Sequence, residues 1–211
     1  MPDATWVRAD TQTGGRGRRG RTWVSIPGNL FASVLVRRKP GEGPAQQLSF
    51  VAAVALARAL DGWIAPERLS LKWPNDLLLD GVKVAGILLE GIGSATIIGF
   101  GANLAGHPQP TERPATSLPA AGIAAPSAAD VAEHLAATFA AVRDDWRDNA
   151  FGGVRAAWLD RAHGIGGRLE ARLGSEAVAG TFTGLDPAGA LLLTLDDASV
   201  RAIHAGEVFA L

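Results

Sequence analysis

The apolar residues of this chain fall into short runs broken by Gly, Pro, Asn and Asp, with two longer stretches of helical character. Residues 4–9 and Leu30–Arg37 have the composition of strands, and Pro27-Gly28-Asn29 supplies the turn before the second. Gln46–Ile64 is apolar and Ala-rich, with no Gly or Pro before Gly62, which predicts a buried helix. Leu69 to Trp73 reads as a short strand stopped by Pro74. Leu77–Leu79, Asp80-Gly81 and Val82–Glu90 have the pattern of a β-hairpin with a two-residue type I′ turn. Strict alternation along its second arm places Lys83, Ala85, Ile87 and Leu89 on one face, and Val82, Val84, Gly86 and Leu88 on the other. An arm apolar on both faces is buried on both. Lys83 therefore lies either at a pocket rim or at the exposed end of the hairpin. Ala95–Leu104 is a further strand; its glycines imply close approach of a ligand or a neighbour, and Asn103 closes it.

Residues 105–126, rich in Pro, Ala and Gly, predict a long irregular stretch. Ser127 then caps a helix with Asp130 at its third position, and Val131, Leu135, Phe139, Val142 and Trp146 recur at three- and four-residue spacing. A shorter helix follows around Val154–Arg161. At Gly164 the pattern changes to short strands: Arg168–Leu173, Ala177–Leu185, Leu191–Leu195 and Val200–Ile203, with Glu207–Leu211 closing the chain. Gly174-Ser175 and Pro187-Ala188-Gly189 separate the first three. This spacing predicts a small β-barrel over 164–211 that leans on a larger unit over 1–163.

With 47% hydrophobic and 19% charged residues the chain can bury a core. The absence of cysteine excludes disulfides, Cys-based metal sites and thiol nucleophiles. His107, His134, His163 and His204 are scattered at no metal-ligand spacing, so no metal ligand is assigned. The segment Phe50 to Leu60 is interrupted by Arg58 and too short to span a bilayer, and no leader-like pattern opens the sequence. The expectation is a soluble cytoplasmic protein with no membrane partner.

One polar stretch stands apart. Positions 14 to 21 hold four arginines and four glycines, flanked by Gln12 and Trp23. Such a segment buries little apolar surface; its glycines let main-chain N–H groups approach an anion, and its guanidinium forks grip phosphate or carboxylate oxygens. A nucleotide or phosphate ligand, a nucleic-acid contact and a solvated basic loop all fit this composition. The net charge of −1 weighs against nucleic acid, which calls for a broad positive footprint. The chain has 17 arginines but only three lysines, Lys39, Lys72 and Lys83, and the last two lie close together. A compact, mobile point charge rather than a planar fork is wanted there.

These segments resemble the signatures of biotin protein ligases, the biotin–acetyl-CoA-carboxylase ligases. Gly15-Arg-Gly-Arg-Arg-Gly-Arg21, between Gln12 and Trp23, is similar to their biotin loop. Lys72-Trp-Pro-Asn-Asp76, Lys83-Val-Ala-Gly-Ile-Leu-Leu-Glu90 and Gly99-Phe-Gly-Ala-Asn103 resemble three further motifs in order. Gly189-Ala-Leu-Leu-Leu and Ala205-Gly-Glu-Val resemble the family's small C-terminal domain. The resemblance implies an α+β fold: a mixed β-sheet with helices, class II synthetase-like, over 1–163, and an SH3-like barrel over 164–211. It implies that biotin attacks the α-phosphate of ATP, with Mg2+, and that the resulting biotinyl-5′-AMP modifies a lysine of a biotin carboxyl carrier domain. It implies catalytic roles for Lys83 and Arg18, biotin contacts from Gln12, Arg16, Gly17, Arg18 and Lys83, and nucleotide contacts from Arg18, Arg21, Trp23, Asn75 and Asn103. Lys72 and Asp76 are supporting candidates, Arg19 is a loop contact or solvated, and a homodimer is left open.

The family also carries a Ser-Thr-Asn-like segment and a helix ahead of the biotin loop, and the eleven residues before Gln12 do not supply them. The expectation is a chain that starts inside the family's catalytic domain, with weaker biotin binding and no helix-turn-helix repressor role. A degenerate biotin- or nucleotide-binding module without turnover is the competing reading. A lipoate or octanoate transferase and a nucleic-acid binder are further alternatives.

Overall fold

The computed structural model describes residues 1–109, 114–174 and 176–211. Residues 110–113, inside the stretch expected to be irregular over 105–126, and Ser175, in the expected Gly174-Ser175 turn, lie outside the described residues.

Six strands build the first sheet: β1 (Thr5–Ala9), β2 (Leu30–Arg37), β3 (Leu69–Lys72), β4 (Asp76–Leu79), β5 (Val82–Ile92) and β6 (Ala95–Ala102). Their order is β1-β2-β6-β5-β4-β3. Every ladder in it is antiparallel, and parallel contacts are the isolated bridges Leu71–Ala162 and Lys83–Ala115. Asp80 and Gly81 both have positive φ, 51° and 80°, as a type I′ turn between β4 and β5 requires.

Two helices, α1 (Leu48–Leu60) and α2 (Ala128–Asn149), cover one face, and a third, α3 (Phe151–Leu159), packs against both. The apolar run predicted a helix over Gln46–Ile64. It starts later, after a 3-10 turn at Ala45–Gln47, and stops short of Gly62, whose backbone freedom opposes a helical continuation. Apart from Ser49 and Arg58 every residue of α1 is buried, as expected of a helix apolar all round. The Ser127 hydroxyl accepts the Asp130 N–H at 3.0 Å, and Val131, Leu135, Phe139, Val142 and Trp146 are buried, as their spacing predicts. No helix among the described residues is long and apolar enough to cross a membrane.

Residues opposite each other across a ladder share a face. Leu30, Ala102 and Ala85 are in register, as are Ala32, Phe100 and Ile87, and all six belong to the core beneath the helices. The alternate sets, Phe31–Gly101–Gly86 and Ser33–Gly99–Leu88, point the other way. That second face carries the cleft described below.

The second sheet contains β7 (Arg168–Arg172), β8 (Ala177–Leu185), β9 (Leu191–Thr194), β10 (Val200–Ile203) and β11 (Glu207–Ala210), in the order β10-β9-β8-β7-β11. Among the described residues no ladder joins β10 to β11; the five strands form one sheet through four antiparallel ladders. It docks through the β8–β9 turn. Trp73 donates its indole N–H to Gly189 O at 3.2 Å in a buried contact, and Gly189 presses so closely on Phe50 that a Cβ would meet the ring at 2.6 Å. Arg155 adds a bond from Nε to Leu185 O at 2.7 Å.

Candidate active site

A cleft of about 540 Å3 opens on the helix-free face of the first sheet, within the size range of small-molecule sites. Gly86, Gly99 and Gly101 floor it, with Leu88 and Ser33 towards one end and Asn103 and Ala115 towards the other. The basic loop forms its roof, and Glu207 and Val208 of β11 reach its edge.

Lys83 corrects the sequence reading. Strict alternation grouped it with Ala85 and Ile87, which the structure turns towards the helices, whereas Lys83 itself lines the cleft, the pocket-rim alternative. Leu77 pairs with Ala85, but the next residue, Leu78, pairs with Lys83, so Val84 has no partner across the ladder. This β-bulge turns both Val84 and Ala85 into the core and rotates Lys83 onto the face of Gly86. The Lys83 ammonium lies 2.6 Å from Asp76 Oδ1, and a Cβ on Gly86 would be 3.4 Å from Nζ. A bulge that re-aims a side chain is invisible to periodicity, which assumes an unbroken ladder.

The arginine–glycine loop is a small hairpin rather than an open loop. Gly17 N–H donates to Arg21 O at 2.7 Å, Trp23 N–H donates to Gly15 O at 3.0 Å, and Arg16 bridges Thr22. Arg19 and Gly20 turn its tip in left-handed conformations, φ 57° and 72°. Its charges meet partners at three places. Arg16 approaches Glu90 at 3.7 Å; Arg18 donates to Asn75 Oδ1 at 3.3 Å; Arg21 pairs with Glu207, which Arg19 approaches at 3.7 Å. Burial draws the Arg18 guanidinium below its usual pKa, the charges of Arg19 and Arg21 act the same way, and Asp76 opposes them. Arg18 remains a cation at neutral pH.

Trp23 lies flat on the cleft floor. A Cβ on Gly101 would meet its Cε2 at 2.5 Å, and one on Gly86 would meet Cζ3 at 3.2 Å. Those two glycines are cross-strand partners, so together they make a seat for the indole. Lys83 Nζ stands 5.7 Å from the ring, within cation–π range, and the indole Nε1 is buried without a hydrogen bond.

A biotin–[acetyl-CoA-carboxylase] ligase of Paracoccus denitrificans is 42% identical over 220 residues, covering 99% of this chain and 91% of that protein. The chain belongs to the biotin protein ligase family. Residues 2–103 match the biotin/lipoate A/B protein ligase family, and residues 164–211 match the biotin protein ligase C-terminal domain. The bifunctional ligase/repressor BirA of Bacillus subtilis is 32% identical across 98% of this chain, which spans 66% of that protein's length. The solved biotin protein ligase of Aquifex aeolicus in complex with biotin and ATP aligns over 100% of this chain and 91% of its own. Its TM-score is 0.88 at 27% identity.

In this biotin ligase fold the expected site residues mostly converge. Gln12, Arg16, Gly17, Arg18, Arg21, Trp23, Asn75, Lys83 and Asn103 all line the one cleft, with Lys72 and Asp76 beside them. Their states differ. Gln12 sits exposed at the mouth, its N–H held by Ser25 Oγ at 2.8 Å. Asn75 is stitched to β5: its Nδ2 donates to Ile87 O at 2.6 Å, and its O accepts Ile87 N–H at 3.0 Å. Lys72 stands 5.8 Å over the Phe209 ring, between the two sheets. Asn103 is 4% exposed and its amide is engaged with protein groups.

Sequence reasoning assigned no role to Glu90, Glu207 or Asn29. The two glutamates stood within quoted motifs, but nothing in one dimension pairs them with a loop arginine. Asn29 was counted as a turn residue. It is that: Asn29 N–H donates to Ile26 O at 3.2 Å, with Pro27 and left-handed Gly28 between them, the arrangement of a type II turn. It is also 1% exposed, which a turn does not require.

Proposed function

We propose that this chain joins biotin to ATP, forming biotinyl-5′-AMP, and transfers the biotinyl group to a lysine of a biotin carboxyl carrier domain. In the first step a biotin carboxylate oxygen bonds to the α-phosphorus and pyrophosphate leaves. In the second the carrier's amine attacks the acyl carbon and AMP leaves. The observation that carries this reading is the convergence of Lys83 and Arg18 on a glycine-floored cleft in a chain of the biotin ligase family. Two anions must be brought together against their repulsion, and cations fixed beforehand in a part-buried cleft do that with little reorganisation.

The cleft divides the work. Gln12, Arg16, Gly17 and Leu88 form the biotin end, with Gly99 as floor. Arg18 and Lys83 stand at the junction of carboxylate and α-phosphate. Arg21, Trp23, Asn75 and Asn103 form the nucleotide end. Lys83 exchanges Asp76 for the ligand's oxygens. Among the described residues no group of three or more His or acidic side chains could hold a metal ion, so Mg2+ would be held here in company with the nucleotide rather than by a protein cage. Asp76 is the carboxylate beside Lys83 that suits it. When bound, the ion neutralises charge on the phosphates.

The chain divides on this reading into a catalytic part, 1–163, and a C-terminal part, 164–211. The engagement of the loop's arginines by Glu90, Asn75 and Glu207, together with the net charge of −1, weighs against nucleic acid as a partner. A cytoplasmic setting fits a reaction that consumes ATP. The direct test is labelling of a purified carrier domain with biotin and ATP, with lipoate in place of biotin as a parallel arm. Labelling with biotin supports the reading. Labelling with lipoate alone replaces it with an acyl transferase, and biotin binding without labelling replaces it with a binding module.

A further inference from the structure

Asn29 spends its side chain on the chain that leaves β6, beside the Asn103 end of the cleft. Its Oδ1 accepts the backbone N–H groups of Ala105 at 2.9 Å and Gly106 at 3.1 Å. Its Nδ2 donates to Gly106 O at 2.8 Å and to Asn103 Oδ1 at 3.4 Å. Asn103 continues the chain of bonds: Nδ2 donates to Thr116 O at 2.9 Å, and its own O accepts Leu118 N–H at 3.2 Å. Two further bonds reach the bulge. Asn103 N–H donates to Val84 O, and Thr116 N–H donates to Lys83 O, each at 2.8 Å. The turn itself is pressed on the same segment, for a Cβ on left-handed Gly28 would meet Ala105 Cβ at 2.8 Å.

Two buried amides therefore fasten four pieces: the turn before β2, the chain leaving β6 at Ala105–Gly106, the chain returning at Thr116–Leu118, and the bulge that aims Lys83. Backbone at 105, 106 and 116 is irregular and has no sheet ladder to satisfy it, apart from the bridge to Lys83. Without Asn29 the part-buried Ala105 and Gly106 N–H groups lose these partners, and the buried Asn103 amide loses a neighbour, which favours local opening of this irregular segment. All these contacts lie at the Asn103–Ala115 end of the cleft. The bond at Gln12 uses none of these groups, and the floor at Gly99 and Leu88 is held by the β5–β6 ladder itself.

We propose that Asn29 is a positioning residue for the nucleotide end of the cleft. It acts through Asn103 and through the main chain at Ala105, Gly106 and Thr116, and touches no substrate. The proposal rests on the reading of the cleft as a site for biotin and ATP. It separates Asn29 from a residue that merely stabilises the fold, because the effect of its loss is confined to one end of the site.

The test compares wild type with Asn29→Ala and Asn29→Asp. Three quantities are measured: biotin affinity by titration calorimetry without nucleotide, the ATP KM in biotin-dependent pyrophosphate exchange, and hydrogen–deuterium exchange over residues 104–107 and 115–118. Asn29→Ala is expected to raise the ATP KM about tenfold, the scale of one or two lost hydrogen bonds, with biotin affinity within about twofold of wild type. Asn29→Asp keeps the acceptor for the Ala105 and Gly106 N–H groups but offers no donor to Gly106 O or Asn103, so it falls between. Both variants speed amide exchange at the two segments and leave that of β2 unchanged. If Asn29→Ala does not fold, Asn29→Asp carries the comparison. A fall in biotin affinity equal to the rise in ATP KM overturns the proposal, as does an unchanged ATP KM in the variants. A wild type that shows neither biotin binding nor exchange sinks the functional reading instead. Amide exchange then decides the anchoring alone, and unchanged protection at 104–107 and 115–118 overturns it.

Discussion

The Lys83 ammonium lies 2.6 Å from the Asp76 carboxylate, on the face of the sheet that a β-bulge at Val84 gives it. Both side chains are part-buried, so the pair is screened less than a surface pair, and on the proposed reading it holds the lysine ready for the ligand's oxygens. Replacing Lys83 by alanine is expected to lower biotin-dependent pyrophosphate exchange on the order of 10²–10³-fold, the usual scale for losing one fixed charge-stabilising group. Asp76→Asn keeps the cation and loosens it, and is expected to cost on the order of tenfold to a hundredfold, as a small misplacement does. Exchange rates of the two variants decide this; an Asp76→Asn loss greater than that of Lys83→Ala contradicts it.

The seat of Trp23 gives a prediction about rank. A methyl group on Gly101 would lie 2.5 Å from the indole, and one on Gly86 3.2 Å from it. Neither glycine has positive φ, so the consequence of substitution is packing rather than backbone strain. Gly101→Ala is expected to displace Trp23 and destabilise by about 1–3 kcal/mol, the range for overpacking, and Gly86→Ala by less. Thermal denaturation of both variants tests the order. Gly86→Ala emerging as the more harmful contradicts the seat.

Glu207 belongs to the C-terminal strand β11 yet holds Arg21 of the basic hairpin and lies 3.7 Å from Arg19. Glu207→Gln removes the negative charge while keeping the shape. Limited trypsin digestion should then nick the hairpin after Arg19 or Arg21 faster than in wild type, since cleavage requires the backbone to open. Mass spectrometry of the early fragments reads this directly, and equal nicking rates contradict the latch.

Burial, and then the charge of Lys72, hold the His163 imidazole below its ordinary pKa of 6.5. A depressed imidazole pKa means that the native state favours the neutral ring. As pH falls through 6.5 the unfolded chain takes up this proton first, so the stability contribution is complete above 6.5 and declines below it. His163→Gln should therefore narrow the fall in melting temperature between about pH 7.5 and about pH 5.5. Parallel melting curves against pH for variant and wild type contradict this.

What could be read from the sequence, and what could not, follows from the range of the interactions involved. β2 was legible to the residue because Pro27-Gly28-Asn29 and the apolar run are local signals. Helix α2 was legible from its cap and periodicity. The cleft's residues were named because four motifs resemble those of one family. The facing of Lys83 was not legible, because a single unpaired residue reverses alternation without altering composition. Glu207 and Arg21 meet only after the second sheet docks, and Asn29 reaches Ala105 and Gly106 across the fold. No periodicity encodes such pairs. The expected barrel was a matter of strand spacing, and spacing does not say whether the first and last strands meet.

The central claim is that Lys83 and Arg18 join a biotin carboxylate to the α-phosphate of ATP in this cleft. Biotin-dependent exchange of labelled pyrophosphate into ATP tests it most directly, because it requires the first step and its reversal but no carrier protein. The account predicts exchange that depends on biotin, ATP and Mg2+, and its loss in both Lys83→Ala and Arg18→Ala. Exchange that survives both substitutions, or a folded wild type that binds biotin and ATP without exchanging pyrophosphate, contradicts it.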